Sequence, residues 1–151
     1  MSVGSAATAV GWTSLEVLRW GREIVQREGS TLLDLSGRLD NSFCQAVDLI
    51  YDCQGAVIVV GMGKAGLVGQ KISATLCSTG TRSFFLHPAE AIHGDLGRLH
   101  EDDAVLVLSQ SGETDEIVRI LPSLVEFNLH TIAITGSRQS TLGKDATVVL
   151  G

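Results

Sequence analysis

Ala56-Val57-Ile58-Val59-Val60-Gly61-Met62-Gly63-Lys64-Ala65-Gly66 is the stretch that decides the fold. Its first half is an unbroken apolar run, mostly β-branched, with no polar residue at alternate positions. Such a run suits a strand covered on both faces, as in a parallel sheet flanked by helices. Its second half is a glycine-punctuated turn with a single cation, the kind of segment that joins a strand to a helix.

Working outward, four further candidate strands follow: Thr81 to Leu86, Ala104 to Leu108, Thr131 to Thr135 and Ala146 to Leu150. Helical segments alternate with them at Leu67 to Ser78, Asp115 to Phe127 and near Ser140. Strands alternating with helices predict a parallel α/β sheet, with right-handed crossovers placing helices on both faces. Pro122 falls inside the longest of these helices and is expected to kink or break it. Upstream, Thr13-Ser14-Leu15-Glu16 reads as a capping box, with Trp12 and Val17 at the staple positions. Leu15, Leu18 and Val25 carry a helical stripe to about Glu28, and Phe43, Ala46, Val47 and Ile50 mark a second helix from near Asn41.

Bulk properties narrow the function classes. At 151 residues the chain fits one domain with a real core. Residues 1–12 are expected to form a flexible tail, and 13–151 the domain. The hydrophobic share is 44%, but no apolar run approaches the ~20 residues that span a bilayer. Met1 to Val10 lacks the basic flank and apolar stretch of a signal peptide. A formal net charge of −6 leaves no basic stripe for nucleic acid, although a few local donors can still hold one small anion. Cys44, Cys53 and Cys77 have no C-x-x-C spacing and are expected to be buried thiols in a reducing compartment, hence the cytoplasm.

Ligands of open α/β sheets bind beyond the carboxyl ends of the strands. Three loops emerge there. Gly61-Met62-Gly63-Lys64-Ala65-Gly66 matches G-x-G-x-x-G, but no acidic residue ends the next strand, Phe84-Phe85-Leu86-His87, as a dinucleotide site requires. No Gly-Lys-Ser/Thr follows either, so it is not a P-loop. Two readings stay open: a turn whose backbone approaches a ligand with Lys64 aimed at it, or tight strand–helix packing beside a solvated lysine. Ser109-Gln110-Ser111-Gly112-Glu113-Thr114 places hydroxyls, an amide and a permissive glycine at a helix N-terminus. That pattern suits a phosphate cradle, and its hydroxyls exceed what an ordinary cap needs. His87-Pro88-Ala89-Glu90-Ala91-Ile92-His93-Gly94-Asp95 holds two histidines and two carboxylates without a metal-ligand spacing, so no metal is expected. A lone loop histidine such as His93 is more often structural than catalytic. His100 and His130 lie beside a polar turn and a strand start.

Together these loops resemble the SIS (sugar isomerase) domain family. Ser109-Gln110-Ser111-Gly112-Glu113-Thr114 is similar to its phosphate-binding signature. The glycine-rich turn, Ser78-Thr79-Gly80-Thr81, His87-Pro88-Ala89-Glu90 and His93-Gly94-Asp95-Leu96-Gly97 resemble its D-arabinose-5-phosphate isomerase branch, from about Asn41 onward. The resemblance implies a three-layer α/β/α fold with a five-stranded parallel flavodoxin-like sheet, and a homo-oligomer, tetramer or dimer. It implies interconversion of D-ribulose 5-phosphate and D-arabinose 5-phosphate through an enediol, for the Kdo of lipopolysaccharide, with no cofactor. Lys64, His93 and Glu113 would be catalytic. Gly63, Ser78, Thr79, Ser109, Gln110, Ser111 and Thr114 would line the sugar-phosphate pocket. Family members continue past the fifth strand with an acidic residue and a Ser-His-Pro-Gly-Gly stretch, and many append CBS modules. This chain stops at Gly151, so it is expected to lack the C-terminal part of the domain and to bind pentose phosphates better than it isomerises them. The alternatives are a sugar-phosphate-sensing module without turnover and a 6-phospho-3-hexuloisomerase.

Overall fold

The computed structural model describes residues 11–151, so most of the expected tail lies outside the described residues. The chain divides into two compact units between Leu39 and Asp40. The first holds α1, Ser14–Ser36. The capping box forms as the sequence predicts: Glu16 N–H donates to Thr13 Oγ1 at 3.3 Å, and Thr13 N–H donates back to Glu16 Oε2 at 2.8 Å. Trp12 packs edge-on against Trp20, with ring centroids 4.7 Å apart. The helix runs past Glu28 through Gly29 and Ser30, where the apolar stripe suggested an end. None of its residues is buried.

The second unit is the α/β domain. Its elements run α2 (Asn41–Tyr51), β1 (Val57–Gly61), α3 (Gly63–Ser78), β2 (Ser83–Leu86), α4 (Pro88–Ile92), β3 (Ala104–Leu108), α5 (Asp115–Glu126), β4 (His130–Ile134), α6 (Thr141–Asp145) and β5 (Val148–Leu150), with a 3₁₀ turn at Asp95–Arg98. All five strands pair in parallel in the order β2-β1-β3-β4-β5, the doubly wound order expected. β1 and β3 are buried along their whole length, which is why they read as continuous apolar runs. Their alternate residues feed two cores. Ile58, Val60, Val105 and Val107 meet Ile117, Ile120, Leu121 and Leu124 of α5 on one face. Val57, Val59, Leu106 and Leu108 join Ala46 of α2 on the other, with Ala65, Ile72 and Leu76 of α3 packed against them. Each large side chain so enclosed contributes roughly 1.5–3 kcal/mol.

Local chemistry sets the element ends. α3 and α5 both close in Schellman motifs. Thr81 N–H donates to Leu76 O and Gly80 N–H to Cys77 O, while Leu129 N–H donates to Leu124 O and Asn128 N–H to Val125 O. α5 carries through Pro122 without a break, and Pro122 lies on its exposed side. The cysteines differ from expectation. Cys44 on α2 and Cys77 near the end of α3 are exposed, and Cys53, just past α2, is half-buried against the core. Cys77 Sγ donates to Ser83 O at 3.0 Å and Cys53 Sγ to Asp102 O at 3.4 Å. Among the described residues, no helix is long and apolar enough to cross a membrane.

Candidate functional site

The chain winds from β1 one way to β2 and from β3 the other way to β4. The loops leaving β1 and β3 therefore part at the carboxyl edge of the sheet. A cleft of about 610 Å³ opens there, lined by Met62, Lys64, Ala65, Leu108, Ser109, Gln110, Ser111 and Thr114. Close packing holds its β1 wall. A Cβ on Gly66 would stand 2.8 Å from Gly61 O, so α3 approaches the end of β1 nearer than any side chain permits. The packing reading of the glycine-rich turn is what this close approach shows; Lys64, exposed, stands among the residues lining the cleft.

The other wall is the β3–α5 loop. Gly112 turns it at φ 67°, where a Cβ would strike Ser140. Gly112 N–H donates to Ser109 Oγ at 3.1 Å, and Glu113 N–H donates to Ser111 Oγ at 3.2 Å. Ser109 Oγ and Thr114 Oγ1 lie 3.0 Å apart. A hydroxyl that accepts from the backbone keeps its own hydrogen, so Ser111 can still donate to a ligand.

Two helices open onto the cleft through their N-cap residues, Met62 for α3 and Thr114 for α5. Neither N-cap side chain bonds to its helix. By contrast Thr13, Asp40, His87 and Ser140 each cap theirs. The 16- and 12-residue helices thus present first-turn N–H groups without a capping side chain, and their positive dipole ends, to one cleft. With Lys64 on the same cleft, the arrangement has the donors and the positive ends with which a small anion could be held. Among the described residues no group of His, Cys, Asp and Glu is gathered to hold a metal ion.

The remaining expected site residues lie elsewhere. Gly63, at φ 56°, is the first residue of α3 beside the cleft. Ser78 and Thr79 sit at the far end of α3, where their hydroxyls donate to Thr75 O. A 16-residue helix spans roughly 24 Å, and α3 runs back toward the amino edge of the sheet, so these two do not share the cleft. His93 caps the C-terminus of α4 and is exposed, on the β2 side of the same carboxyl edge, outside the cleft lining. His87 is occupied as the α4 cap, its Nδ1 accepting from Ala89 N–H. Glu113 turns to α6: Oε1 accepts Thr141 N–H at 2.7 Å and Oε2 accepts Thr141 Oγ1 at 2.8 Å. These bonds, the backbone one first, hold its carboxyl below the ordinary 4.5, with Lys144 adding a smaller attraction. Sequence reasoning missed Met62, Ala65, Leu108 and Thr141. The first three abut strand ends that were legible; Thr141 lies 28 residues from Glu113 and gave no local signal.

The sequence family described as SIS domain matches residues 49–151. The chain is 53% identical over 130 residues to "Arabinose 5-phosphate isomerase KpsF" of Escherichia coli, covering 85% of this chain and 41% of that protein. It is 45% identical over 137 residues to "Arabinose 5-phosphate isomerase KdsD" of Pseudomonas aeruginosa, covering 91% and 42%. A solved structure from E. coli CFT073, in complex with arabinose 5-phosphate, superposes with a TM-score of 0.86 at 34% identity, covering 91% of this chain and 73% of that one. The chain thus spans about two fifths of the length of these curated relatives.

Proposed function

Because this chain belongs to the SIS domain family, we propose that it is the sugar-phosphate-binding part of an isomerase interconverting D-arabinose 5-phosphate and D-ribulose 5-phosphate. One observation carries the reading: two helices without side-chain caps, three hydroxyls and Lys64 converge on a single cleft at the β1/β3 switch point. The names of its relatives support the pentose. Its arabinose 5-phosphate would feed the Kdo of lipopolysaccharide, in the cytoplasm. Exposed apolar residues along α1, among them Leu15, Leu18 and Val25, support a homo-oligomer, a dimer or tetramer.

The reaction moves a proton from C2 of the aldose to C1 through an enediol, while the hydroxyl proton shifts from O2 to O1. A base takes the C2 proton, and negative charge builds on the oxygen at C1. Ser109, Ser111, Thr114 and Gln110 anchor the phosphate, fixing the far end of the sugar so that C1 and C2 meet the reacting groups. Lys64 steadies the developing oxyanion. His93 serves as the acid–base group, and Glu113, with both oxygens engaged, shapes the loop.

The test is calorimetric titration with arabinose 5-phosphate, inorganic phosphate and a hexose 6-phosphate, followed by an assay of ribulose 5-phosphate formation. Pentose 5-phosphate binding above the other two supports the reading. Preference for the hexose would move the substrate to a phosphohexulose. No binding of any phosphate would remove the cradle.

A further inference from the structure

We propose that Thr141 is a positioning residue for the anion cradle: by engaging both carboxylate oxygens of Glu113 from the first turn of α6, it sets the β3–α5 loop in its receptive form. The inference rests on the sugar-phosphate reading above.

Residues of the cradle loop are tied from outside by one segment, the turn after β4 and the start of α6. Gly136 N–H donates to Gln110 O at 3.0 Å and Leu142 N–H to Gly112 O at 3.1 Å. Those are backbone bonds that any sequence could make. The Glu113–Thr141 pair is the bidentate, charge-assisted part of the seam, at 2.7 and 2.8 Å, beside one longer side-chain bond from Thr135 Oγ1 to Gln110 O at 3.5 Å. It settles a second matter as well. Glu113 stands next to Thr114, a cleft residue, and a carboxylate aimed into that cleft would repel a phosphate. With both oxygens on Thr141 the charge is turned to α6, where Lys144 contributes attraction. The pair therefore orders the loop and keeps a like charge off the ligand.

The backbone permits a clean variant. Ser140 is the N-cap of α6, at φ −64° and ψ 164°, which is the conformation a residue before proline prefers. Thr141 is then the first helical position, where proline is well tolerated. Thr141→Pro deletes both donors to Glu113 and leaves the Ser140 cap to Gly143 N–H intact.

The experiment titrates arabinose 5-phosphate and inorganic phosphate into wild type, Thr141→Ser, Thr141→Val, Thr141→Pro, Glu113→Ala and the Glu113→Ala/Thr141→Pro double variant. Thr141→Pro is expected to bind both ligands about tenfold more weakly while its ligand-free circular dichroism stays that of wild type, Thr141→Val about threefold more weakly, and Thr141→Ser like wild type. The double variant should bind no more weakly than Thr141→Pro, since one clasp is lost either way. Wild-type affinity in Thr141→Pro, or losses that multiply in the double variant, would overturn the inference; the latter would put Glu113 on the sugar directly. Failure of wild type itself to bind either ligand would instead overturn the sugar-phosphate reading, and this one with it.

Discussion

Ser111 and Lys64 share the cleft yet should fail differently when replaced. Ser111 Oγ accepts from Glu113 N–H and retains its hydrogen for a phosphate oxygen. Ser111→Ala should therefore weaken pentose-phosphate binding by ~1–3 kcal/mol, the range for a hydrogen bond to a charged group. Equal affinities in calorimetric titrations of the two proteins would take the hydroxyl out of the cradle. Lys64 is exposed at the start of α3, on the wall opposite the hydroxyls. A cation that meets charge developing in the transition state acts on turnover, so Lys64→Met should lower kcat with a modest change in KM. A pure KM effect in steady-state kinetics would make it a phosphate ligand instead. Both residues were legible in the sequence because each abuts a strand end, where α/β sheets place ligands. Ser78 and Thr79 misled: they belong to a resembling motif, yet the length of α3 carries them away from the cleft. The exposure of Cys44 and Cys77 was hidden too, since which side of a helix faces the sheet is a matter of packing.

Among elements, β1, β3 and β4 were read to within a residue, because burial of the central strands leaves apolar runs, whereas β2 and β5 begin two residues after Thr81 and Ala146. Helix starts fared worse. α3 begins at Gly63, four residues before Leu67, since glycines that serve close packing read as a turn. Gly66→Ala tests that packing. Its Cβ would meet backbone that cannot swing aside, so the domain should lose about 1–3 kcal/mol. Gly29→Ala, on exposed α1 with no atom within 4 Å, should gain up to ~1 kcal/mol of helix stability. Thermal denaturation of both variants compares them, and a Gly66→Ala protein as stable as wild type would refute the close approach. The seam between the cradle and α6 offers a pH test. Glu113 is held below its ordinary value when folded, so its contribution is complete above the unfolded value and is lost as pH falls through the lowered one. The Thr141 amide resonance should report that titration with a midpoint under 4.5, and should lose it in Glu113→Gln. A midpoint at or above 4.5 would mean the clasp is absent in solution. Nothing in the local sequence announces this pairing, which exists only because β4 lies beside β3.

For the whole molecule, α1 exposes Leu15, Leu18, Ile24, Val25, Leu32 and Leu33. Under the homo-oligomer reading, Leu18→Glu with Val25→Glu should lower the assembly state seen by sedimentation velocity and leave the α/β unit's circular dichroism unchanged. An unaltered sedimentation coefficient would place the interface elsewhere. The placing of the cleft between β1 and β3 has a consequence for how the chain folds. Its walls come from residues 62–65 and 108–114, and they meet only once two strands whose paired residues lie 47 apart in the chain have joined in parallel. Neither half of the chain forms the cleft alone. During synthesis the cradle cannot exist until α5 has emerged, and parallel pairing over such a distance is a slow step. Under the sugar-phosphate reading, affinity is then conditional on the most non-local strand pairing in the domain, so a phosphate ester in the medium would act on folding as a late brake on reversal, trapping completed chains while leaving the early steps untouched.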